Sequence, residues 1–501
     1  MLSENQNKLD RKTYFLLFFI AFAVVFTSTY NPINFRRMHV DSAVYLNISQ
    51  GIIRGQLPYK ELVDNKGPLT YFINVPGLFL GGFTGIWITE LLILFVSVLF
   101  AYKTALFFSD RRKALAGTLA CFIALLPVFT VNAGTEEYSL PFLMISLYIF
   151  TKYYFSQKQN ISFGELVALG ICFACAIMIR LNMFPLWVGF CLIIFIETII
   201  KRRFLLLGKY VAGFCLGIII ILVPVFLYLK QNGILDTFWK LVVLGGAARG
   251  FSGGGLKEIV KIFYIVINRN YSFVPLFWGL FFVITKFRKP HFFFYCGYTL
   301  SCFLMTLFIS FSEGGGHYNM VLIPFYIPAF TSLIGFIYSA FLGEKIRNTV
   351  IVLFLCVVFS EGLLIFFNSL RKIVYDNSGK QMIRAGKMID ENTKPDDRIL
   401  SLNNSYIYPF THRKPASKYF FQGSGFQHIK EAQSEFLSDV IINKPVIIAV
   451  FTAEGSDEHD LYFDGWFKPI IGTIYEIMDK DYRLLSDENG YRLFIRKDNG
   501  K

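Results

Sequence analysis

Charged residues are scarce in this chain of 501 residues: 17% are charged, 54% are hydrophobic, and the mean hydropathy is +0.50. A soluble enzyme needs a larger polar fraction to cover its surface, so this composition excludes that class. Apolar runs of about 17–25 residues, long enough to cross the hydrocarbon core of a bilayer, recur along the chain. Because backbone amides find no other partner in lipid, each run is expected to be a helix.

Residues 1–368 are predicted to form an all-α polytopic membrane bundle of about eleven transmembrane helices. The predicted spans are 14–30, 84–108, 114–131, 138–155, 162–179, 183–200, 209–229, 271–287, 292–310, 319–342 and 349–368. Charged and polar residues return after this bundle, which predicts a small α/β domain at 369–501. Its strands are expected at Arg398–Leu402, 446–451 and 492–496, with a hairpin turning at Asn489-Gly490.

Lys and Arg are missing from two of the short connections, 132–137 and 311–318, and are present in the alternate connections. Because cytoplasmic loops carry an excess of these residues, the N-terminus is predicted to be cytoplasmic. An odd number of spans then places 369–501 on the extracytoplasmic side of the plasma or inner membrane. The outer loops are 31–83, 230–270 and 311–318.

Several other classes of protein lack the residues that they would need. None of the eight cysteines lies in the tail, so no disulfide framework holds it. Cys172-x-x-Cys175 falls inside an apolar run, which favours packing over metal or redox chemistry. The net charge of +14 comes without a basic run interleaved with aromatics, so nucleic-acid binding is excluded. There is no P-loop, nucleophile elbow or His-Glu-x-x-His motif. The first apolar run lacks a small-residue cleavage site and is expected to be a retained span.

The leading candidate for chemistry is Asp41, in the first outer loop. His39 precedes it, and a helical pattern follows over 42–54. An ionisable side chain at the mouth of a membrane bundle is costly to keep without a partner, which favours a functional role. The alternative is a helix N-cap, a position that Asp favours, and one carboxylate could serve in both roles.

A second group in the same loop is Asp64 and Lys66, followed by Gly67-Pro68. Pro68 permits a helix to begin there, and Asp64 or Asn65 could cap it. This second short helix, 69–80, is expected to be interrupted at Pro76-Gly77 and to lie along the outer interface. The alternative for Lys66 is a side chain that reaches to the lipid headgroups.

The other outer loops add further candidates. Glu136 and Glu137 lie in a loop without basic residues, where one of them could instead cap the next helix. Arg180 ends a span, where it could bind a phosphate or simply reach to the interface. His317 and Tyr318 could line a pocket or belong to an interfacial belt of aromatics.

Glycine is concentrated in the second outer loop, 230–270, at 245–246 and 250–255. This density is typical of a flexible loop. It could be a lid over a site at the membrane surface, or a linker without a catalytic role.

The first outer loop carries a pattern that resembles a known family. The pattern is Asp41-x-x-x-Tyr45, then Gly55-x-x-Pro58-Tyr59-x-Glu61, then Asp64-x-Lys66-Gly67-Pro68. It is similar to the first outer loop of polytopic glycosyltransferases with the GT-C fold, in the branch of protein O-mannosyltransferases and lipid A aminoarabinose transferases. This chain has Lys-Gly-Pro where those enzymes have a Lys-Pro-Pro-like motif.

The resemblance implies an inverting transferase with a sugar donor linked to polyprenyl phosphate. It implies that Asp41 is the general base and that Lys66 contacts the donor phosphate. Arg180 and His317 are then expected near that phosphate as well. Residues expected to contact substrate are His39, Asp64, Glu136, Glu137 and Tyr318.

The acceptor is expected to be a glycan, a lipid or a protein, and the protein is expected to contact membrane lipid. No cofactor is expected, although His39 and Asp41 could hold a divalent cation with Glu136 or Glu137. Two alternatives stay open. A polymerase or ligase of envelope glycans would use a lipid-linked oligosaccharide. A transporter of lipid or solute would place ionisable residues near the bilayer midplane, whereas here they cluster at one surface.

Overall fold

The computed structural model describes residues 9–501 except 125, 127–132, 158, 247–254, 270–271, 312–315, 341–343, 403–404, 423–425, 427–428, 430, 452–466, 489 and 500–501. Most of the predicted glycine-rich loop, part of the loop 311–318 and Asn489 of the predicted hairpin turn therefore lie outside the described residues.

Helices make up most of the structure. In chain order they are Arg11–Val25, Val40–Ile53, Leu69–Phe72, Asn74–Ala105, Arg111–Ala124, Thr135–Phe155, Phe163–Ile179, Pro185–Ile200, Phe204–Gln231, Leu235–Phe238, Gly255–Asn268, Phe273–Thr285, Phe292–Ser310, Ile323–Ala340, Glu344–Tyr375, Ser378–Glu391, Ala432–Asn443 and Lys468–Asp481. The strands are β1 (Arg398–Leu402), β2 (Lys414–Pro415), β3 (Ile447–Phe451), β4 (Tyr482–Glu488) and β5 (Tyr491–Arg496).

A helix lies over each of the predicted spans. Four helical segments among the described residues are long and apolar enough to cross a membrane: Leu69–Ala105, Phe204–Gln231, Phe292–Ser310 and Gly316–Ala340. Shorter apolar helices are Phe163–Ile179, Pro185–Ile200 and Phe273–Thr285. The chain is therefore a multi-pass membrane protein.

The chain forms two compact units. The first unit comprises Met1–Ser28, Trp87–Tyr228 and Arg249–Arg371. The second unit comprises Thr29–Ile86, Leu229–Ala248 and Lys372–Lys501. Residues 31–83, predicted to be the first outer loop, and residues 372–501 of the tail thus belong to the same unit.

Small residues allow helices of the first unit to approach closely. A Cβ added at Gly189 would lie 2.2 Å from Ser301 Oγ, so the helices that carry these residues are almost in backbone contact. Gly170 and Gly217 meet in the same way between two other helices. Helix association in lipid depends on such contacts because lipid tails are as apolar as the helix surfaces.

The second unit contains one five-stranded sheet of order β2-β1-β3-β5-β4. β1 pairs in parallel with β2 and β3, while β5 runs antiparallel to β3 and β4. The three predicted strands are confirmed, and β4 and β5 form the predicted hairpin. Because β1 and β3 are parallel, their carboxyl ends meet at the same edge of the sheet.

The first outer loop packs directly on the tail within this unit. The Phe35 ring stacks on Phe83 at 4.7 Å and meets Phe410 edge-on at 5.3 Å. The Val63 amide donates to the Lys418 carbonyl at 3.0 Å, and Gln50 Nε2 donates to the Pro409 carbonyl at 3.1 Å. The tail therefore fixes the position of the loop that carries Asp41.

The predicted interruption at Pro76-Gly77 is wrong. Pro76 is the third residue of the helix Asn74–Ala105, where its missing N–H would have no partner within the helix. The backbone leaves helical geometry instead at Gly81 and Gly82. Gly82 has φ 55°, a left-handed conformation that glycine adopts without steric strain.

Candidate functional site

Asp41 lies in the first turn of the helix Val40–Ile53, called the Asp41 helix below. The N-cap is His39, whose Nδ1 accepts a hydrogen bond from the Asp41 amide at 3.3 Å. The alternative role of Asp41 as N-cap is therefore wrong, because the preceding histidine occupies that position.

The Asp41 carboxylate is half-buried. Throughout the described part of the chain, no hydrogen bond or ion pair to this carboxylate is formed. A carboxylate that does not serve as a cap and does not pair with a cation is available to accept a proton from a ligand.

Lys66 belongs to a segment whose backbone is fixed by two tyrosines. Its carbonyl accepts hydrogen bonds from the Tyr59 hydroxyl at 2.7 Å and from the Tyr71 hydroxyl at 3.3 Å. The Tyr71 hydroxyl also donates to Asp64 Oδ2 at 2.9 Å, and Asp64 is only 3% exposed. Asp64 thus has a structural partner in the same segment as Lys66.

Neither Asp64 nor Asn65 caps the helix after Pro68, so that prediction is wrong. Pro68 is itself the N-cap of Leu69–Phe72, and no side chain bonds to this helix start. Asn65 Oδ1 instead accepts from Lys66 Nζ at 2.8 Å. Asn65 therefore helps to orient the ammonium group.

The structure brings Lys66 close to the Asp41 helix. Lys66 Nζ lies 5.9 Å from the centroid of the Tyr45 ring. Tyr45 follows Asp41 by four residues, so the two side chains share one face of the helix. The predicted phosphate contact thus lies against the helix that carries the predicted base, about one helical turn along it.

Four predicted residues form a connected cluster in the first unit. Arg180 makes a salt bridge with Glu136 Oε1, and its guanidinium lies 4.3 Å from the centroid of the Tyr318 ring. The Tyr318 ring meets the His317 ring edge-on at 4.2 Å. Arg180 therefore does not simply reach to the interface; it is oriented by an acid and an aromatic ring.

A buried acid in the first unit escaped the sequence analysis. Glu90 is 0% exposed; Ser28 Oγ donates to its Oε2 at 2.6 Å and the Ala133 amide donates to its Oε1 at 2.8 Å. Glu137, also buried, is near enough for its charge to interact with Glu90. A lone acid inside an apolar run was the available signal, because such residues are costly in lipid.

Of the suggested cation site, His39 and Asp41 lie at the start of one helix, and Glu136 and Glu137 lie at the start of another. Within the described ranges, no group of three or more His, Cys, Asp or Glu could hold a metal ion.

Comparison with known proteins supplies the fold. Residues 3–244, slightly less than half of the chain, match the family profile described as "Putative competence-induced protein Ccs4 N-terminal domain". No curated protein sequence matches the chain.

Two solved enzymes share the architecture. ArnT from Cupriavidus metallidurans, bound to undecaprenyl phosphate, is 13% identical with a TM-score of 0.64, covering 97% of this chain and 98% of that chain. The archaeal oligosaccharyltransferase AglB from Archaeoglobus fulgidus, with an inhibitory peptide and a dolichol-phosphate, is 13% identical with a TM-score of 0.53, covering 88% and 70%. At this identity the likeness shows the fold, and it confirms the expected GT-C architecture.

Proposed function

We propose that the protein transfers a sugar from a polyprenyl-phosphate donor to an acceptor hydroxyl at the extracytoplasmic face of the membrane. The architecture shared with ArnT, whose structure holds undecaprenyl phosphate, supports this proposal across nearly the whole chain. The observation that carries the mechanism is the Asp41 carboxylate, half-buried and without a hydrogen-bond partner among the described residues.

The reaction is a single displacement with inversion. The Asp41 carboxylate accepts the proton of the acceptor hydroxyl as that oxygen attacks the anomeric carbon. The bond between this carbon and the phosphate oxygen breaks, and its electron pair leaves on the polyprenyl phosphate. Lys66 offsets the charge that grows on the phosphate.

The remaining predicted residues have supporting roles in this proposal. Arg180 and His317 contact the donor phosphate. Arg180 can do so while it is paired with Glu136, because a guanidinium has five N–H donors. Glu136, Glu137 and Tyr318 contact substrate from the first unit, and His39 and Asp64 contact substrate from the first outer loop. Asp64 also holds the Lys66 segment through Tyr71.

The same proposal includes the topology. About eleven helices cross the membrane, with the N-terminus cytoplasmic. Residues 1–368 form the transmembrane glycosyltransferase domain, and 369–501 form an extracytoplasmic α/β domain. The loops 31–83, 230–270 and 311–318 then face the donor and acceptor.

A second candidate is the transfer of a whole lipid-linked oligosaccharide. The likeness to AglB, an oligosaccharyltransferase, favours this candidate. Both candidates need a base and a phosphate contact, so they differ in the length of the donor glycan. Assays with donors that carry one sugar and with donors that carry several sugars distinguish the two candidates.

The test of the base is transfer in vitro by purified protein from defined polyprenyl-phosphate sugars. Asp41→Asn keeps the shape of the side chain but cannot accept a proton, so we expect transfer to fall by about 10²–10⁴-fold. The matched control is Asp396→Asn, an exposed acid in the turn before β1 of the same unit, which should retain activity. Normal transfer by a folded Asp41→Asn protein would remove Asp41 as the base.

The phosphate contact is tested with Lys66→Met and Lys66→Arg. Loss of one charge-assisted contact is expected to raise the KM for the donor by about tenfold or more in Lys66→Met. Lys66→Arg keeps the positive charge and should recover part of the affinity. If neither variant changes the KM for the donor, Lys66 does not contact the phosphate. If no lipid-linked donor reacts with the wild-type protein, the transporter alternative takes precedence.

A further inference from the structure

An aromatic cluster lies at the edge of the sheet where the parallel strands β1 and β3 end. Phe451 is the last residue of β3 and pairs with Tyr491 of β5. The Phe451 ring meets the Tyr491 ring at 5.3 Å and the Tyr406 ring at 5.4 Å, both edge-on. We call Tyr406, Phe451 and Tyr491 the tail aromatic cluster.

Arg37, from the first outer loop, lies over this cluster. Its guanidinium carbon is 5.4 Å from the centroid of the Phe451 ring. The Arg37 amide donates to Ser378 Oγ at 2.9 Å, which fixes the backbone beside the tail. The guanidinium is exposed and makes no ion pair in the part of the chain that the structure describes. An oriented cation that has no counter-ion among the described residues is suited to bind an anionic group.

The cluster lies next to the proposed base. Burial raises the pKa of the Tyr406 hydroxyl, while the Arg37 charge lowers it and the Asp41 charge raises it. Arg37 and Asp41 therefore both lie near enough to Tyr406 to act on its hydroxyl. Only three residues separate Arg37 from Asp41 in sequence, and Arg37 lies two residues before the N-cap of the Asp41 helix.

A polar group inside the cluster is left unsatisfied. The Tyr491 side chain is 1% exposed, and its hydroxyl has no hydrogen-bond partner among the described residues. Burial raises the pKa of this hydroxyl, so it stays neutral and can both donate and accept. Buried hydroxyls are rarely left without a partner, which indicates a place for a polar ligand.

We propose that Arg37 and the tail aromatic cluster form the acceptor subsite, and that the acceptor is an acidic sugar. Arg37 pairs with a phosphate or carboxylate substituent, the partly exposed rings of Tyr406 and Phe451 contact the sugar, and a hydroxyl of the same sugar faces Asp41. The subsite rests on the proposed glycosyl transfer. It gives that reaction a substrate class, a glycan with an anionic group close to the reacting hydroxyl.

The test measures binding without transfer, so that the two proposals can fail separately. Full-length protein in phosphatidylcholine nanodiscs is titrated with methyl β-D-glucopyranoside 6-phosphate and with methyl β-D-glucopyranoside, which differ only in the phosphate. The wild-type protein is expected to bind the phosphorylated probe at least about tenfold more tightly. Arg37→Gln should abolish this preference, and Arg37→Lys should retain part of it.

Two further variants make the result specific. Phe451→Leu removes the ring that orients Arg37 and should reduce the preference. Arg384→Gln removes another exposed arginine, from the tail helix Ser378–Glu391, and should leave the preference unchanged.

Three results would overturn the subsite: no preference in the wild-type protein, a preference that survives in Arg37→Gln, or a preference lost in Lys66→Met, which would locate the anion at the donor phosphate. Transfer that depends on Asp41 without any preference for the phosphorylated probe would leave the catalytic proposal standing alone. A preference without transfer would leave the subsite standing alone.

Discussion

Tyr71 connects the buried carboxylate of Asp64 to the backbone of Lys66, so Tyr71→Phe should loosen this segment. The Tyr71 ring stays in place in this variant, and only the hydroxyl is lost. Asp64 is 3% exposed and then loses a hydrogen bond of 2.9 Å. A hydrogen bond to a charged group contributes about 1.5–3 kcal/mol, and the longer bond to the Lys66 carbonyl adds little.

The assay is amide hydrogen exchange of the full-length protein, followed by mass spectrometry of a peptide that covers residues 60–72. The Val63 amide, which donates to the Lys418 carbonyl at 3.0 Å, is the reporter. A loss of about 1.5–3 kcal/mol in local stability corresponds to exchange that is about 10–100-fold faster. Because Lys66 is the proposed phosphate contact, the KM for the donor should rise in the same variant.

Tyr59→Phe is the matched control. Its hydroxyl donates to the Lys66 carbonyl at 2.7 Å, and the Asp64 carboxylate keeps its hydrogen bond from Tyr71. A neutral hydrogen bond contributes about 1 kcal/mol, which predicts exchange that is only about fivefold faster. The reasoning is refuted if Tyr71→Phe exchanges like the wild type, or if the effects of Tyr71→Phe and Asp64→Asn simply add.

Two further predictions concern the buried ion pair between Arg180 and Glu136 in the first unit and the hydrogen-bonded carboxylate of Asp390 in the second unit. Arg180→Gln leaves the Glu136 side chain, 6% exposed, without its cation; this should destabilise the protein by about 3–5 kcal/mol, and adding Glu136→Gln should recover part of the loss in a thermal unfolding experiment. Burial opposes ionisation of Asp390, but hydrogen bonds from Thr411 and His412 outweigh it and lower the pKa of this carboxyl. Asp390 therefore stabilises the tail above its unfolded pKa of about 4 and loses this effect as the pH falls below it. The difference in exchange between wild type and Asp390→Asn over the helix Ser378–Glu391 should accordingly shrink from pH 7 to pH 3.

The sequence predicts the helices and strands that are determined by residues close together in the chain. Each apolar run needs internal hydrogen bonds in lipid, so composition alone locates the helices. Strand β1 was predicted at its observed bounds, Arg398–Leu402, because a short apolar strand between turn residues has a distinct pattern.

Which of two neighbouring residues caps a helix is harder to predict. His39 and Asp41 can both accept at a helix start, and the general preference for Asp favoured the wrong one. The interruption at Pro76 was predicted because proline removes a hydrogen bond from a helix interior, yet the helix begins only two residues earlier. Whether a proline interrupts a helix therefore depends on how far it lies from the start of that helix.

Contacts between segments that are far apart in the chain could not be predicted from the sequence. Glu136 and Arg180 were each predicted as candidates, but each had a separate alternative role. Their salt bridge joins residues 44 apart and depends on how two helices pack. The same holds for Arg37 over Phe451, since a basic residue beside a helix start has no local signal for a partner in the tail.

The tail acts on the segment that carries Asp41 and Lys66 through packing, in addition to the acceptor contact that we propose. The Asp41 helix bonds to the tail through Gln50, and Val63 bonds to it just before Asp64. Deleting the tail would therefore remove the support of Asp41 and Lys66 together with the acceptor subsite. Loss of activity on truncation cannot separate these effects, whereas Arg37→Gln can, because the Arg37 guanidinium has no ion pair in the described structure that its loss would break.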